Sequence, residues 1–191
     1  MSIIGWADNI RKNFEEAEKQ QIIDEKIQKL ASEKQKQKNY EKIENKYSYF
    51  YHFTDESNLP SIRKYGLYSW EYLENKMGYE PFIDYKPAID SENISRTQDK
   101  KNNLSNYIRL SSNKEHDMYL YSGFRDLDLF FLQIDKKVIL DLNCRFTNEN
   151  AAKNHVRTSD DILYLLNSND KHAEILILEH IPKEYIVGKE R

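Results

Sequence analysis

The chain has 191 residues, of which 39% are hydrophobic and 32% are charged, so it can bury one core while part of it stays solvated. Its formal net charge of −3 excludes a globally basic nucleic-acid binder, and any polyanion site must be a local basic patch. The lone cysteine, Cys144, excludes an internal disulfide or a CxxC metal pair, and no apolar run is long enough for a signal peptide or a membrane span, so we expect a cytoplasmic protein.

The first 46 residues are predicted to form a charged helical segment. Between Asn9 and Lys46 there is no Gly or Pro, and Lys, Glu and Gln, which are good helix formers, dominate. Apolar residues first recur at spacings of four, but no heptad pattern continues beyond Leu30. We expect one long helix or two, either packed on the following domain or serving as a coiled-coil or partner-binding helix.

From Tyr47 onward the sequence is rich in aromatic and β-branched residues, and short strands outnumber short helices. The predicted strands are 47–54, 106–111, 127–134 and 172–178. The predicted helices are 58–65 with Gly66 as its C-terminal cap, 70–76 and 160–166, while 148–153 begins a helix or a turn. Residues 78–101 are predicted to form a long loop. Because strands and helices do not alternate regularly, the sequence predicts an α+β domain over residues 47–191.

Common nucleotide-binding and metal-binding motifs are absent from the sequence. It contains no GxGxxG and no GxxxxGK[ST], and five glycines cannot build a glycine-rich phosphate loop. The five histidines lack the spacing of a zinc protease, so we expect no metal. There is no GxSxG elbow either, and these absences exclude most kinases, Rossmann enzymes and common hydrolases.

Two polar residues lie inside strongly apolar strand candidates. His52 ends an aromatic run and precedes Thr54 closely, and a single histidine in such a run is more often structural than functional. Glu174 lies in AEILIL, where it shares a strand face with Leu176. A carboxylate on such a strand lies either at an edge that faces water or in a functional site.

The order of motifs from residue 49 resembles the DarT family of DNA-targeting ADP-ribosyltransferases. The matching segments are YFYHFT (49–54), NLPSIRKYGLYS (58–69), NISRTQDKKNNLSNYIRLS (93–111), HDMYLY (116–121), FLQIDKKVI (131–139), RFTNENAAKN (145–154) and KHAEILI (171–177). They cover most of residues 49–185 and leave the first 46 residues outside. The resemblance implies a split, strongly curved β-sheet surrounded by helices, which agrees with the strands predicted from the residues.

The resemblance also implies residue roles in a transfer of ADP-ribose from NAD, the co-substrate, to a base of single-stranded DNA. Glu174 would be the transferase glutamate and Arg96 the second catalytic residue. For Arg96 we expect an electrostatic role, because a guanidinium is a poor proton acceptor. The residues implied in binding NAD are His52, Phe53, Thr54, Ser61, Ser69 and Arg96. The residues expected to bind the DNA are His116, Arg109, Lys153 and His172.

The acceptor and the biological role follow less directly from the resemblance. His172 stands where many relatives carry Gln, so both thymine and guanine remain candidates for the modified base. We expect the protein to be a toxin that a cognate antitoxin protein neutralises. Two alternatives stay open: an ADP-ribosyltransferase that acts on RNA or protein, and a catalytically silent binding module of the same fold. The intact set of His52, Arg96 and Glu174 argues against the silent module.

Overall fold

The computed structural model describes residues 3–76, 93–115 and 129–190, and the side chains of 12–76, 97–115 and 129–190. The chain divides into two compact units, Met1–Lys38 and Asn39–Arg191.

The first unit is made of a single helix, α1 (Ile3–Ile43), whose last residues already belong to the second unit. The prediction of a helical N-terminal segment is therefore confirmed, as one helix without a break. Within residues 12–38 the larger apolar side chains are between 46% and 72% exposed: Phe14, Ile22, Ile23, Ile27 and Leu30. Neither α1 nor any other helix in the described ranges combines the length and the apolar character needed to cross a bilayer.

The second unit combines short helices with antiparallel strands. The strands are β1 (Tyr49–Asp55), β2 (Leu67–Tyr68), β3 (Tyr107–Ser111), β4 (Leu129–Asp135), β5 (Cys144–Phe146), β6 (Glu174–Leu178), β7 (His180–Ile181) and β8 (Ile186–Glu190). The helices are α2 (Leu59–Tyr65), α3 (Trp70–Lys76), α4 (Asn93–Lys101), α5 (Val138–Asp141) and α6 (Leu163–Leu166), with 3-10 turns at Glu56–Asn58 and Lys183–Tyr185.

Six strands form one sheet in the order β5-β6-β3-β1-β4-β8, and β2 pairs separately with β7. Strands β1 and β4 pair along their whole length, from Tyr49↔Asp135 to Asp55↔Leu129. By contrast, the described residues of β1 and β3 form one pair, Tyr51↔Ser111. The sheet is therefore split into two halves that meet at this point, and the predicted α+β fold with a split sheet is confirmed.

The two faces of the sheet have different surroundings. One face carries the main apolar core, which includes Phe50, Ile108, Leu110, Ile134, Ile175 and Ile177 together with side chains from α2, α5 and the end of α1. Since side chains alternate along a strand, Glu174 and Leu176 lie on the opposite face of β6. On that face Leu176 packs with Leu104 and Ala151 in a second, smaller cluster. Glu174 is thus placed on the face that this small cluster covers.

The predicted loop over residues 78–101 was wrong for its last part, because 93–101 forms helix α4. Tertiary hydrogen bonds hold this helix: Gln98 Nε2 donates to the carbonyl of Lys153 at 3.3 Å, and Asn102 Nδ2 donates to the carbonyl of Ala151 at 3.1 Å. Such contacts between distant segments leave no local pattern in the sequence. The remainder of the predicted loop lies outside the described residues.

Three further differences concern short elements. The helix predicted over 160–166 is shorter and begins at Leu163. Strand β6 begins at Glu174, two residues later than predicted. Strands β5 and β8 were missed, because three residues are too few to show a period and because 186–190 includes a glycine that weakens the strand pattern.

Asn39 ties the end of α1 into the second unit. Its side chain is buried, donates from Nδ2 to the carbonyl of Asp160 at 2.8 Å, and accepts at Oδ1 from the N–H of Ile162 at 3.1 Å. Next to it, the exposed pair Lys42–Asp161 joins the same two segments at 3.0 Å. The last turn of α1 is therefore an integral part of the domain's packing.

We predict that Asn39→Ala lowers the free energy of unfolding by about 1–3 kcal/mol, because it leaves the buried N–H of Ile162 without an acceptor. Lys42→Ala is the matched control and should cost less than about 1 kcal/mol, since it removes an exposed ion pair. Urea denaturation of both variants measures the two values. Equal losses for the two variants would contradict the role given to Asn39.

Candidate active site

Glu174 is a carboxylate buried within the sheet. It opens β6, which has β5 on one side and β3 on the other, so the alternative of a water-facing edge position is excluded. Its backbone is fixed by Thr147, whose Oγ1 accepts from the N–H of Glu174 at 2.8 Å and whose N–H donates to the carbonyl of Glu174 at 3.0 Å. The side chain is fixed separately, by Ala151 and Arg109.

The carboxylate of Glu174 accepts a main-chain hydrogen bond and lies near a guanidinium group. Its Oε2 accepts from the N–H of Ala151 at 2.8 Å and lies 3.8 Å from a guanidinium nitrogen of Arg109. Burial raises the pKa of Glu174, while Arg109, the Ala151 N–H and His172 oppose that rise and Asp170 adds to it. The site therefore holds a carboxyl group whose ionised form depends on its neighbours.

Arg109 connects three elements around this carboxylate. It lies on β3, opposite Leu176 of β6, and its guanidinium forms an ion pair with Asp99 of α4 in addition to its approach to Glu174. Its main-chain carbonyl oxygen lies 3.0 Å from Nδ1 of His52. Arg109 thus brings α4, β6 and β1 together.

His52 lies on β1 beside the split in the sheet. In a continuous ladder Phe53 would stand opposite Arg109, but the pairing between β1 and β3 covers Tyr51↔Ser111 alone among the described residues. The His52 ring donates from Nδ1 to the Arg109 carbonyl and so satisfies a carbonyl that the split leaves without a backbone partner. Its ring is also stacked on that of Phe53, with centroids 6.3 Å apart.

The protonation state of His52 follows from this geometry. Burial lowers the pKa of His52, and its hydrogen bond to the Arg109 carbonyl only partly opposes that shift. The neutral ring carries its proton on Nδ1, because a carbonyl oxygen can only accept, and this leaves Nε2 as an acceptor. Nε2 of the ring can therefore accept a hydrogen bond from a hydroxyl group of a bound sugar.

The other residues predicted to bind NAD have local structural partners. Thr54 is buried and its Oγ1 accepts from Asn58 Nδ2 at 3.1 Å. Ser69 is buried immediately before α3, and its Oγ accepts from the N–H of Tyr72 at 3.4 Å. Ser61 is half-buried on α2. For these three residues the NAD-binding role stays a prediction.

The residues predicted to bind DNA differ in their surroundings, and one of them lies outside the described residues. Lys153 is largely exposed and forms ion pairs with Asp170 at 2.8 Å and Glu149 at 3.3 Å. His172 lies two residues before Glu174. Its main-chain N–H donates to Asp170 Oδ1 at 2.9 Å. His116 and the side chain of Arg96 lie outside the described residues, so their placement stays a prediction.

Sequence reasoning singled out Arg109 and His52 but missed the other groups that contact Glu174 or its partners directly. Ala151 contributes a main-chain N–H, and a main-chain donor carries no side-chain signal. Thr147 and Asp99 both lie inside motifs that matched the family resemblance, but neither stood out from its neighbours. In the described part of the chain, no three His, Cys, Asp or Glu side chains converge in a way that could hold a metal ion.

We predict that Glu174→Gln stabilises the fold increasingly as pH rises. A carboxyl group whose pKa is raised in the folded state contributes stability below its unfolded pKa, and this is lost as pH rises through the folded value. The melting temperature of Glu174→Gln minus that of the wild type should therefore grow with pH. The exposed Glu184→Gln serves as the control and should show no such growth. A difference for Glu174→Gln that is independent of pH would contradict the burial argument.

The fold of this chain is similar to that of solved DarT structures. The chain is similar to "Thermus sp. 2.9 DarT in complex with NAD+" (TM-score 0.54, 16% identity, 74% of this chain and 80% of that chain). It is also similar to "Thermosipho africanus DarTG in complex with ADP-ribose" (TM-score 0.58, 17% identity, 75% of this chain and 43% of that chain). A third match is "Thermus sp. 2.9 DarT in complex with ADP-ribosylated ssDNA" (TM-score 0.54, 17% identity, 73% and 78%).

These similarities, at 16–17% identity, establish the fold. No protein of curated function matches the sequence. A family model described as "ssDNA thymidine ADP-ribosyltransferase, DarT" matches residues 51–169, which is more than half of the chain. The chain therefore belongs to the DarT family of single-stranded-DNA ADP-ribosyltransferases.

Proposed function

We propose that this protein transfers ADP-ribose from NAD to the thymine base of single-stranded DNA. The family description names single-stranded DNA, thymidine and ADP-ribosyl transfer. Solved complexes of Thermus sp. 2.9 DarT contain NAD+ in one case and ADP-ribosylated ssDNA in another, which supports the same pair of substrates here. The observation that carries the proposal is the buried carboxylate of Glu174 beside the Arg109 guanidinium.

A buried carboxylate suits the chemistry of this transfer. As the bond between ribose C1′ and nicotinamide breaks, its electron pair leaves with nicotinamide and positive charge develops on the sugar. A preorganised carboxylate next to the ribose stabilises that charge and orients the sugar hydroxyls. Nicotinamide leaves as a neutral molecule, so no acid is needed. The base nitrogen then bonds to C1′ and loses its proton to solvent water.

The remaining site residues have roles in holding the two substrates. Neutral His52 offers Nε2 to a ribose hydroxyl, and Phe53, Thr54, Ser61 and Ser69 complete the NAD site in this proposal. Arg96 acts electrostatically on the NAD phosphates or on the accepting base, since its guanidinium stays protonated. His116, Lys153 and His172 are assigned to the DNA.

The preference for single strands follows from where the acceptor atom lies. A base nitrogen that takes part in pairing cannot attack unless the base leaves the duplex, at a cost of roughly a few kcal/mol. A single strand avoids most of that cost. This argument favours an unpaired thymine as the substrate.

The biological role is part of the same proposal. Modified DNA bases would block replication in the cell that makes the enzyme. We therefore propose that this protein is a cytoplasmic toxin paired with a cognate antitoxin protein. One of the structurally similar proteins is Thermosipho africanus DarTG, which was solved with ADP-ribose. The name DarTG supports a partner for a DarT protein, and the proposal extends such a partner to this chain.

Incubation with labelled NAD tests the proposed reaction. We expect a thymine-containing single strand to be labelled, and the same sequence in duplex form to be labelled much less, because the attacking nitrogen is engaged in pairing. Glu174→Gln should label the single strand about 10²–10³ times more slowly, because it removes the charge that stabilises the transition state. Mass spectrometry of the products measures the transfer.

Each alternative gives a different result in that assay. Equal labelling of duplex and single strand would contradict the argument from base pairing. Labelling confined to RNA or protein pools would replace DNA as the acceptor, and near-wild-type labelling by Glu174→Gln would reject the catalytic glutamate. No labelling of any pool by the wild type would reject the transferase function.

Binding of NAD can be measured without any acceptor. We expect millimolar NAD to raise the melting temperature of the wild type, because a ligand that binds only the folded state stabilises it. His52→Asn should reduce that shift, since it removes the ring that offers Nε2 to the ribose. The control is His155→Asn, because His155 is exposed and Asn tolerates its φ of 60°. An unchanged melting temperature of the wild type in NAD would contradict the proposed site.

A further inference from the structure

Both partners of the Glu174 carboxylate are themselves held by residues on or next to α4. Asp99 of α4 forms an ion pair with Arg109, the guanidinium that approaches Glu174. Asn102, which directly follows α4, donates from Nδ2 to the carbonyl of Ala151, whose N–H binds Glu174 Oε2. The position of the carboxylate therefore depends on how α4 is docked.

The charges in this cluster alternate, with the positive Arg109 between the two carboxylates of Asp99 and Glu174. The side chains of Asp99, Arg109 and Glu174 are 15%, 22% and 5% exposed, so all three are largely shielded from water. One guanidinium is enough to compensate the charge of Glu174, and a second carboxylate adds no compensation. A guanidinium has five N–H donors in a rigid fork, so it can bind two acids at once and be fixed in orientation by one of them.

We propose that Asp99 and Arg109 are positioning residues, which keep the Glu174 carboxylate ionised and oriented for ADP-ribosyl transfer. The inference rests on the proposed function, because it assigns Glu174 the catalytic role. It gives Arg109 a different role from the DNA contact expected from the sequence, since its guanidinium is directed at two acids and is mostly shielded. The same ion pair fixes α4, the helix that carries Arg96, against β3.

The groups that face Glu174 come from several elements. Arg109 of β3 and the N–H of Ala151 favour the ionised carboxylate, as does His172, and Asp170 disfavours it. Asp99 acts from α4 through Arg109, and on β1 the neutral His52 contacts the Arg109 carbonyl rather than Glu174. Among the groups that oppose the effect of burial on the pKa of Glu174, Arg109 has the largest effect.

The two residues have distinguishable effects on the pH dependence of the rate. Arg109→Gln removes the opposite charge, so the pKa of Glu174 rises and the acidic limb of the rate profile moves to higher pH. Asp99→Asn leaves that charge in place but frees the guanidinium. Its acidic limb should not move to higher pH, while its plateau rate should fall on the order of 10–100-fold from loss of orientation. A purely structural role would lower both plateaus and move neither limb.

Arg145→Gln is the matched control. Arg145 of β5 stands opposite Leu176 on the other side of β6 from Arg109, in the same row of the sheet. It is exposed and pairs with Asp160 at 3.1 Å, away from Glu174. This variant should keep the pH profile and plateau of the wild type.

A second readout requires neither NAD nor DNA. The melting-temperature difference between each variant and the same variant with Glu174→Gln reports the ionisation of Glu174 by linkage. In the Arg109→Gln background this difference should keep growing to higher pH than in the wild type, because it levels off only above the folded-state pKa of Glu174, which loss of the guanidinium raises further. If the wild type labels no nucleic acid, the proposed function fails, but this readout still decides whether Arg109 controls the charge of Glu174.

The test is labelling of single-stranded DNA by labelled NAD across pH, together with the thermal readout, for the three single variants and for Asp99→Asn/Arg109→Gln. A limb shift in Arg109→Gln alone, a plateau loss in Asp99→Asn and a double variant whose losses do not add would support the proposal. The proposal is overturned if the acidic limb of Arg109→Gln, and the pH at which its melting-temperature difference levels off, equal those of the wild type. A wild-type plateau rate in Asp99→Asn would overturn it as well. If Arg109→Gln does not fold, Arg109→Lys replaces it. That variant keeps the charge but not the fork, so an unshifted limb with a lower plateau supports the proposal and a wild-type plateau overturns it.

Discussion

A carboxylate buried in the middle of a β-sheet is the constraint on which the rest of this site depends. Removing an ionised Glu174 from water is costly unless it is paired and hydrogen-bonded. The fold meets this requirement with Arg109 from a neighbouring strand and the N–H of Ala151 from the turn after β5. Both partners depend in turn on residues of α4 or directly after it, which links the docking of that helix to the charge of the carboxylate.

The split in the sheet has a related consequence. Where β1 and β3 stop pairing, the carbonyl of Arg109 would have no backbone partner, and the His52 ring takes that position. The ring is held neutral by burial and keeps one nitrogen available as an acceptor. In our proposal this nitrogen accepts a hydrogen bond from a sugar hydroxyl, close to the residue that we propose controls the charge of Glu174.

The sequence predicted most of the architecture because local patterns determine it. The helix of the N-terminal segment, strands β1, β3, β4 and β6, and the glycine cap at Gly66 all follow from composition and spacing. The sequence left the burial of Glu174 open, because an apolar strand can also hold a carboxylate at an edge that faces water, and the place of β6 between β5 and β3 excludes that edge. Helix α4, Asp99 and the Ala151 N–H were not foreseeable, because tertiary hydrogen bonds and a main-chain donor leave no local signal.

The central claim is that Glu174, held by Arg109 and Ala151, acts on the ribose of NAD. A crystal structure of this protein with carba-NAD+, the analogue bound in a similar Thermus sp. 2.9 DarT structure, tests it most directly. Our account predicts a ribose hydroxyl within hydrogen-bonding distance of the Glu174 carboxylate, with the Asp99–Arg109 ion pair intact. A ribose bound away from Glu174, or an Arg109 side chain that turns to the nucleotide phosphates and leaves Glu174, would contradict the account.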